Sequence, residues 1–195
     1  MKKIVLLIFA IAIFSNVEAQ KFGVKAGLDL STVVTDPVAE YGYQPGLNAS
    51  VFFQKKFFPM LSLRPGLGLY QKGSTYEILN VLTETTINYV QFDADIKFKP
   101  PFVPIYMFAG PYISYALAGT NKVSGISVDI TFGPDDTNNL DFGLNGGIGF
   151  QQNLPVGKLF LEVAYNYGMF DYDASSYTET FNRNISIDLG FMIGL

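Results

Sequence analysis

Histidine and cysteine are both absent from the 195 residues, which removes most side chains able to do chemistry. Acyl transfer, phospholipid hydrolysis and proteolysis generally need an imidazole as general base beside a serine or an activated water. Zinc sites need imidazole or thiolate. What remains is carboxylate. Asp93, Asp95, Asp141, Glu162 and Asp188 could form an acid–base pair or hold a cation, but Lys25, Arg64 and Lys97 share their strand face, as shown below. A mutually salt-bridged set is therefore expected. Asp135 and Asp136, between Pro134 and Asn138, are oxygen ligands of the kind Ca²⁺ takes; a solvated loop tip is the simpler reading. The glycines Gly143, Gly146 and Gly147 lie inside a strand pattern and open no helix, so they are no phosphate loop. No catalytic, cofactor-binding or metal-ligating residue is expected, no cofactor is implied, and the chain is read as not an enzyme.

The elements that carry these residues alternate with period two, the mark of a strand with two different faces. Eight such runs occur, at 22–31, 47–54, 61–70, 89–98, 105–118, 141–151, 159–168 and 184–195. In each, one face is apolar throughout: Phe22, Val24, Ala26, Leu28 and Leu30 in the first, Ile185, Ile187, Leu189, Phe191, Ile193 and Leu195 in the last. No Asp, Glu, Lys or Arg falls on the apolar face of any run. Lys25, Asp29, Arg64, Asp93, Asp95, Lys97, Asp141, Glu162 and Asp188 all fall on the other. A soluble barrel wears its charge outside, so alternation alone does not say which face is wet. The apolar faces together need either lipid or a second layer, and the chain has no helices to supply that layer.

Connection lengths sharpen the reading. They run long (Thr32–Gly42), short (Lys55–Met60), long (Gly73–Thr85), short (Lys99–Pro104), long (Gly119–Leu140), short (Gln152–Lys158) and long (Met169–Arg183). Strict alternation of this kind is what an outer-membrane barrel shows, with tight periplasmic turns and longer outside loops. The expected fold is all-β: an eight-stranded antiparallel up-and-down transmembrane β-barrel with short periplasmic turns and long extracellular loops. Aromatics sort by end as interfacial girdles would. Tyr43, Tyr70, Tyr89, Tyr112, Tyr115, Tyr165 and Tyr167 lie toward the long connections, and Phe53, Phe57, Phe58, Phe98, Phe102, Phe150 and Phe160 toward the short ones. Several of these, with Phe52, Tyr106 and Phe108, also fall on the inward face and should fill the lumen. Pro65 and Pro111 each remove a ladder donor inside a strand; with Gly66 and Gly110 beside them, bulges are expected there.

Residues 1–19 read as a cleaved signal peptide and 20–195 as the barrel domain. Lys2 and Lys3 precede the apolar stretch Ile4–Phe14, and Val17-Glu18-Ala19 places small residues before Gln20. An uncleaved anchor would need a longer apolar run, and no cysteine follows to accept a lipid. Removing Lys2, Lys3 and Glu18 from 13 basic and 17 acidic residues leaves 11 and 16. No basic stretch interleaves with aromatics, so nucleic acid is not expected as a partner. The expected surroundings are outer-membrane lipid, the outer-membrane assembly machinery during biogenesis, and an extracellular or envelope protein partner of unknown identity; the expected location is the cell outer membrane.

Short blocks of the chain resemble the PorT-like outer-membrane β-barrel domain proteins of Gram-negative bacteria. They are Leu63-Arg64-Pro65-Gly66-Leu67-Gly68-Leu69-Tyr70-Gln71-Lys72-Gly73, Ala109-Gly110-Pro111-Tyr112, the stretch Asp141–Phe150, Glu162-Val163-Ala164-Tyr165-Asn166-Tyr167-Gly168-Met169 and Asn184-Ile185-Ser186-Ile187. The resemblance implies an outer-membrane location and the barrel fold. That family often has Arg where Ala164 stands, so a partner for Glu162 is either missing here or supplied by Arg64. Two function classes follow: a structural or surface-interaction barrel with a closed, side-chain-filled interior, or a small-solute or ligand transport barrel, including a secreted lipocalin-like binder.

Overall fold

The computed structural model describes residues 20–36, 41–78, 81–133, 138–171 and 179–194. The signal segment and Asp135-Asp136 lie outside them. Nine strands are present: β1 (Gln20–Asp36), β2 (Gly42–Lys56), β3 (Leu61–Ile78), β4 (Val81–Phe98), β5 (Ile105–Val123), β6 (Ile126–Asp129), β7 (Leu140–Leu154), β8 (Gly157–Gly168) and β9 (Glu179–Gly194). Each stave is antiparallel to its neighbours, and the order β4-β3-β2-β1-β9-β8-β7-β5 closes through an additional β4–β5 pairing. The ring thus has eight staves. β6 stands outside it and, among the described residues, pairs only with the end of β5 through Thr120–Val123.

The alternation read from sequence is the alternation of the wall. In β8 exposed and buried residues take turns without a break from Leu159 to Gly168. Leu67, Leu144 and Ile148 point outward, half exposed, while Arg64, Glu162 and Asp188 point inward and are buried. Lipid requires this pattern, because every backbone N–H and C=O in hydrocarbon must be satisfied within the sheet.

Three expectations change. The connection Gly73–Thr85 is largely strand, since β3 runs to Ile78 and β4 starts at Val81, and β5 extends to Val123 into the next long connection. A stave needs only about 9–11 residues to cross a bilayer, whereas β3, β4 and β5 have 18, 18 and 19. Above the membrane no face need be apolar, so the alternation fades and Thr83, Thr85 and Thr86 look like loop although they pair with β5. Second, Pro65 and Pro111 make no bulge. Register is the same on both sides of Pro65, from Phe52↔Gly66 to Lys55↔Leu63, and of Pro111, from Asp93↔Tyr112 to Ile96↔Ala109. The ladder skips the proline on one side and keeps its other side intact, with Pro65↔Ala94 and Pro111↔Leu144. The register shifts fall instead between Tyr43 and Asn48, around Pro45-Gly46, and at Asn88/Tyr89. Third, Tyr70, Tyr89, Tyr112 and Phe160 leave the girdles, because they face the lumen and are buried. Tyr43, Tyr115, Tyr165 and Tyr167 remain outward at the long-connection end, with Phe57, Phe58, Phe102 and Phe150 at the other.

The inward rings need space on the facing stave, and glycine provides it. Gly23 faces Phe52, Gly149 faces Tyr106, Gly147 faces Phe108 and Gly190 faces Phe160 across the ladders. A Cβ on any of the four would collide with its partner's ring. Large-against-small pairing lets an eight-stranded lumen be filled without splaying the wall.

Leu67, 52% exposed and set between Val51 and Phe92, sits mid-stripe on the lipid face. Leu67→Arg is expected to cost about 2–4 kcal/mol of folding free energy in lipid vesicles. Denaturant titration of vesicle-inserted protein measures it, and an unchanged midpoint would mean that the stripe does not face lipid.

The barrel interior as candidate functional site

The lumen is built from two ionic groups held between aromatic layers. β3 delivers Arg64, β8 Glu162, β4 Asp95, β1 Lys25 and β9 Asp188. Arg64 pairs with Glu162 and with Asp95 at 2.9 Å, while Lys25 bridges Glu162 at 3.4 Å and Asp188 at 3.1 Å. The Tyr106 hydroxyl donates to Glu162 at 2.6 Å. The guanidinium also lies over Phe52 and Phe108, 5.2 and 4.6 Å from the ring centroids, an attraction that strengthens once water is excluded. Buried charge is tolerable only when it is paired and hydrogen-bonded; every charge of this group is paired, while the Asp95 Oδ1 is buried without a hydrogen-bond partner among the described residues.

Asp29 takes a different solution. It accepts from the amides of Asn48 at 3.0 Å and Asn184 at 3.1 Å, and Asn48 donates to Asp188 as well, at 2.8 Å. Neutral amides thus absorb part of the excess of acids over bases. Nearer the long-connection end, Lys72 pairs with Asp141 at 3.0 Å and lies 4.5 Å from the Tyr112 centroid; the Tyr112 hydroxyl reaches the same carboxylate at 3.3 Å. Above it Ile87, Tyr89 and Ala116 form a small apolar layer against which Ile130 and Phe132, from the segment after β6, are packed. At the other end Phe52, Tyr106, Phe108, Phe160, Ala164 and Met192 make a second apolar layer.

The expected inward set is therefore brought together. The carboxylates Asp95, Asp141, Glu162 and Asp188 are each in an ion pair, as the salt-bridged reading required, and Asp93 lies buried opposite Gly66 and Tyr112. Arg64, not position 164, supplies the partner of Glu162. Lys97 has no carboxylate within salt-bridge distance among the described residues; it donates to Gln151 at 3.1 Å and lies 3.5 Å from the Tyr106 centroid. Lys72 escapes the sequence reading because the apolar alternation of the third run stops at Tyr70, yet its even-numbered spacing from Tyr70 continues the inward face. Among the described residues no group of three or more carboxylates could hold a metal ion.

A model of the outer membrane protein β-barrel domain matches residues 18–174. The chain belongs to that family. It is an outer-membrane β-barrel protein, and solved structures agree on the fold. Neisserial surface protein A aligns with a TM-score of 0.52 at 14% identity, over 89% of this chain and 97% of that one. A major outer membrane protein of Thermus thermophilus gives 0.52 at 14%, over 90% and 100%. Ail, the attachment invasion locus protein of Yersinia pestis, in complex with a heparin analogue, gives 0.50 at 15%, over 89% and 99%. No curated protein sequence matches the chain.

Arg64→Met should strand Asp95 and weaken the hold on Glu162, at about 3–5 kcal/mol. In the double variant Arg64→Met/Glu162→Gln part of that loss should return, since two coupled partners are removed together. Vesicle unfolding curves for the singles and the double measure the coupling, and strict additivity would mean that the pair contributes nothing.

Proposed function

We propose that this outer-membrane barrel acts at the cell surface as a structural or partner-binding protein, with a closed interior and neither catalysis nor solute passage. The carrying observation is the contrast between its two parts. The lumen is filled by ion pairs and aromatic rings, while β3, β4 and the β5–β6 hairpin extend past the length that lipid needs. The extension exposes Tyr76, Val81, Leu82, Ile126 and Val128 beside the acids Glu77, Glu84 and Asp129. Among the described residues β6 has a strand neighbour on one side only, and its other edge offers ladder groups of the kind that extended partners pair with. Ail, a fold relative, is named for attachment and invasion, which is in keeping with a surface role.

The long-connection end faces the exterior and the short turns face the periplasm, as the alternation of connections in such barrels implies. The mature chain begins at Gln20 after signal cleavage and is inserted by the outer-membrane assembly machinery; within the family it sits with the PorT-like proteins through the blocks quoted above. A polar, ion-paired lumen is the wrong lining for an apolar ligand, which weighs against a lipocalin-like carrier.

The chain has no cysteine, so single-cysteine variants report position cleanly. Ile126→Cys should react with a membrane-impermeant maleimide on intact cells, and Lys56→Cys only after the envelope is opened; the reverse pattern would invert the topology. In planar bilayers the purified, refolded protein should show no stable unitary conductance. Steps of porin size would put transport first.

A further inference from the structure

Charge is sorted along the barrel axis. Every described carboxylate side chain lies in the lumen or toward the long-connection end, whereas Lys21, Lys55, Lys56, Lys99 and Lys158 cluster at the short-turn end. Four of these turn inward. Lys21 is registered opposite Gln54, Lys56 opposite Ser62, and Lys158 opposite Met192, all three partners being buried lumen residues. Lys99, just past the end of β4, continues the inward spacing of Lys97 and lines the same end. Together with Gln54, Ser62 and Gln151 they line a recess of about 240 Å³ closed on one side by Met60 and Pro100-Pro101. Among the described residues no Asp or Glu lines it.

We propose that this recess is a binding site for a phosphate-bearing anion entering from the short-turn end. Three observations converge on that ligand. The lining of the recess sets four ammonium groups beside the Gln54 and Gln151 amides and the Ser62 hydroxyl, a donor set suited to an anion. The rim lysines crowd one another: Lys21 faces Lys158, Lys56 and Lys99. Partial burial, and then Lys158, pull the Lys99 ammonium below its ordinary value, so an anion between them would relieve repulsion. Finally, a single carboxylate would leave most of this charge unmatched, whereas a phosphate carries more charge and several acceptor oxygens for ammonium, amide and hydroxyl donors. Lys99 already donates one bond to the Val103 carbonyl at 2.6 Å, which anchors its side chain at the rim. The recess opens along the barrel axis, within reach of a soluble phosphate ester and of an inner-leaflet lipid headgroup. That the recess faces the inner leaflet rests on the sidedness proposed above; the site does not.

The test uses the folded mature chain in neutral phosphatidylcholine nanodiscs, where both ends are open, titrated calorimetrically with inorganic phosphate at low ionic strength. Saturable binding is expected, weakened about tenfold or more in Lys99→Gln/Lys158→Gln and unchanged in Lys122→Gln at the other end. Heat-modifiable migration on mild-detergent gels verifies that the variants are folded; should the double variant misfold, Lys56→Gln alone should still weaken binding. Discs containing phosphatidylglycerol separate the sources. Loss of the phosphate signal there assigns the recess to a lipid headgroup, and an unaltered signal assigns it to a soluble anion. Absence of saturable binding in neutral discs, or binding indifferent to all the rim lysines, would overturn the proposal. Failure of the maleimide pattern would leave this result standing, because it concerns only which side the recess faces.

Discussion

The pairing of β1 with β9 is the constraint on which the rest depends. It runs without a register shift from Lys21↔Gly194 to Asp36↔Glu179 and joins the two ends of the sheet. Without it two strand edges would face hydrocarbon, where each unsatisfied backbone group costs several kcal/mol. With it the sheet has no edge in lipid. Closure at eight staves then fixes the lumen as a narrow space that side chains must fill. Filling it with rings demands facing glycines, and filling it with charge demands partners. The ion pairs and the Gly–aromatic pairs are both consequences of the radius.

That order of dependence explains why so much was legible in the sequence. A two-faced strand has to write its faces into every second residue, so the eight staves and the assignment of Arg64, Glu162 and Asp188 to the lumen could be read directly. Pairing across the lumen could not. Arg64 and Glu162 are far apart in sequence, and which of four inward cations reaches which acid depends on stagger. Lys72 and the upper ends of β3 and β4 were lost for a different reason. Alternation is imposed by the bilayer, and beyond it the ladder continues by hydrogen bonding alone. Strand there is indistinguishable from a polar loop by periodicity, although the β-branched Thr83, Thr85 and Thr86 are a weak signal of it. The prolines misled because a bulge is one remedy for a missing donor and a skipped ladder rung is another; sequence shows the need and not the remedy.

The two ends of the barrel contrast in chemistry as they do in length. Toward the long connections the staves outgrow the membrane and expose apolar side chains beside acids. Toward the short turns the wall stops at the interface and collects ammonium groups around a recess. Between them the ionic core lies between two apolar layers, Ile87, Tyr89 and Ala116 toward the long connections and Phe52, Tyr106, Phe108 and Phe160 toward the short turns.

The glycine–aromatic pairs bear on how such a chain can diverge. An outward Leu can become Val, Ile or Phe with no consequence for its neighbours, because lipid accommodates any apolar shape. Gly149 cannot enlarge unless Tyr106 shrinks, and Gly23 cannot enlarge unless Phe52 shrinks. Drift is therefore free on the outer surface and must proceed in compensated doubles within. A barrel of this design can share as little as 14% of its residues with another of the same fold, because the packing inside constrains pairs of residues rather than single identities.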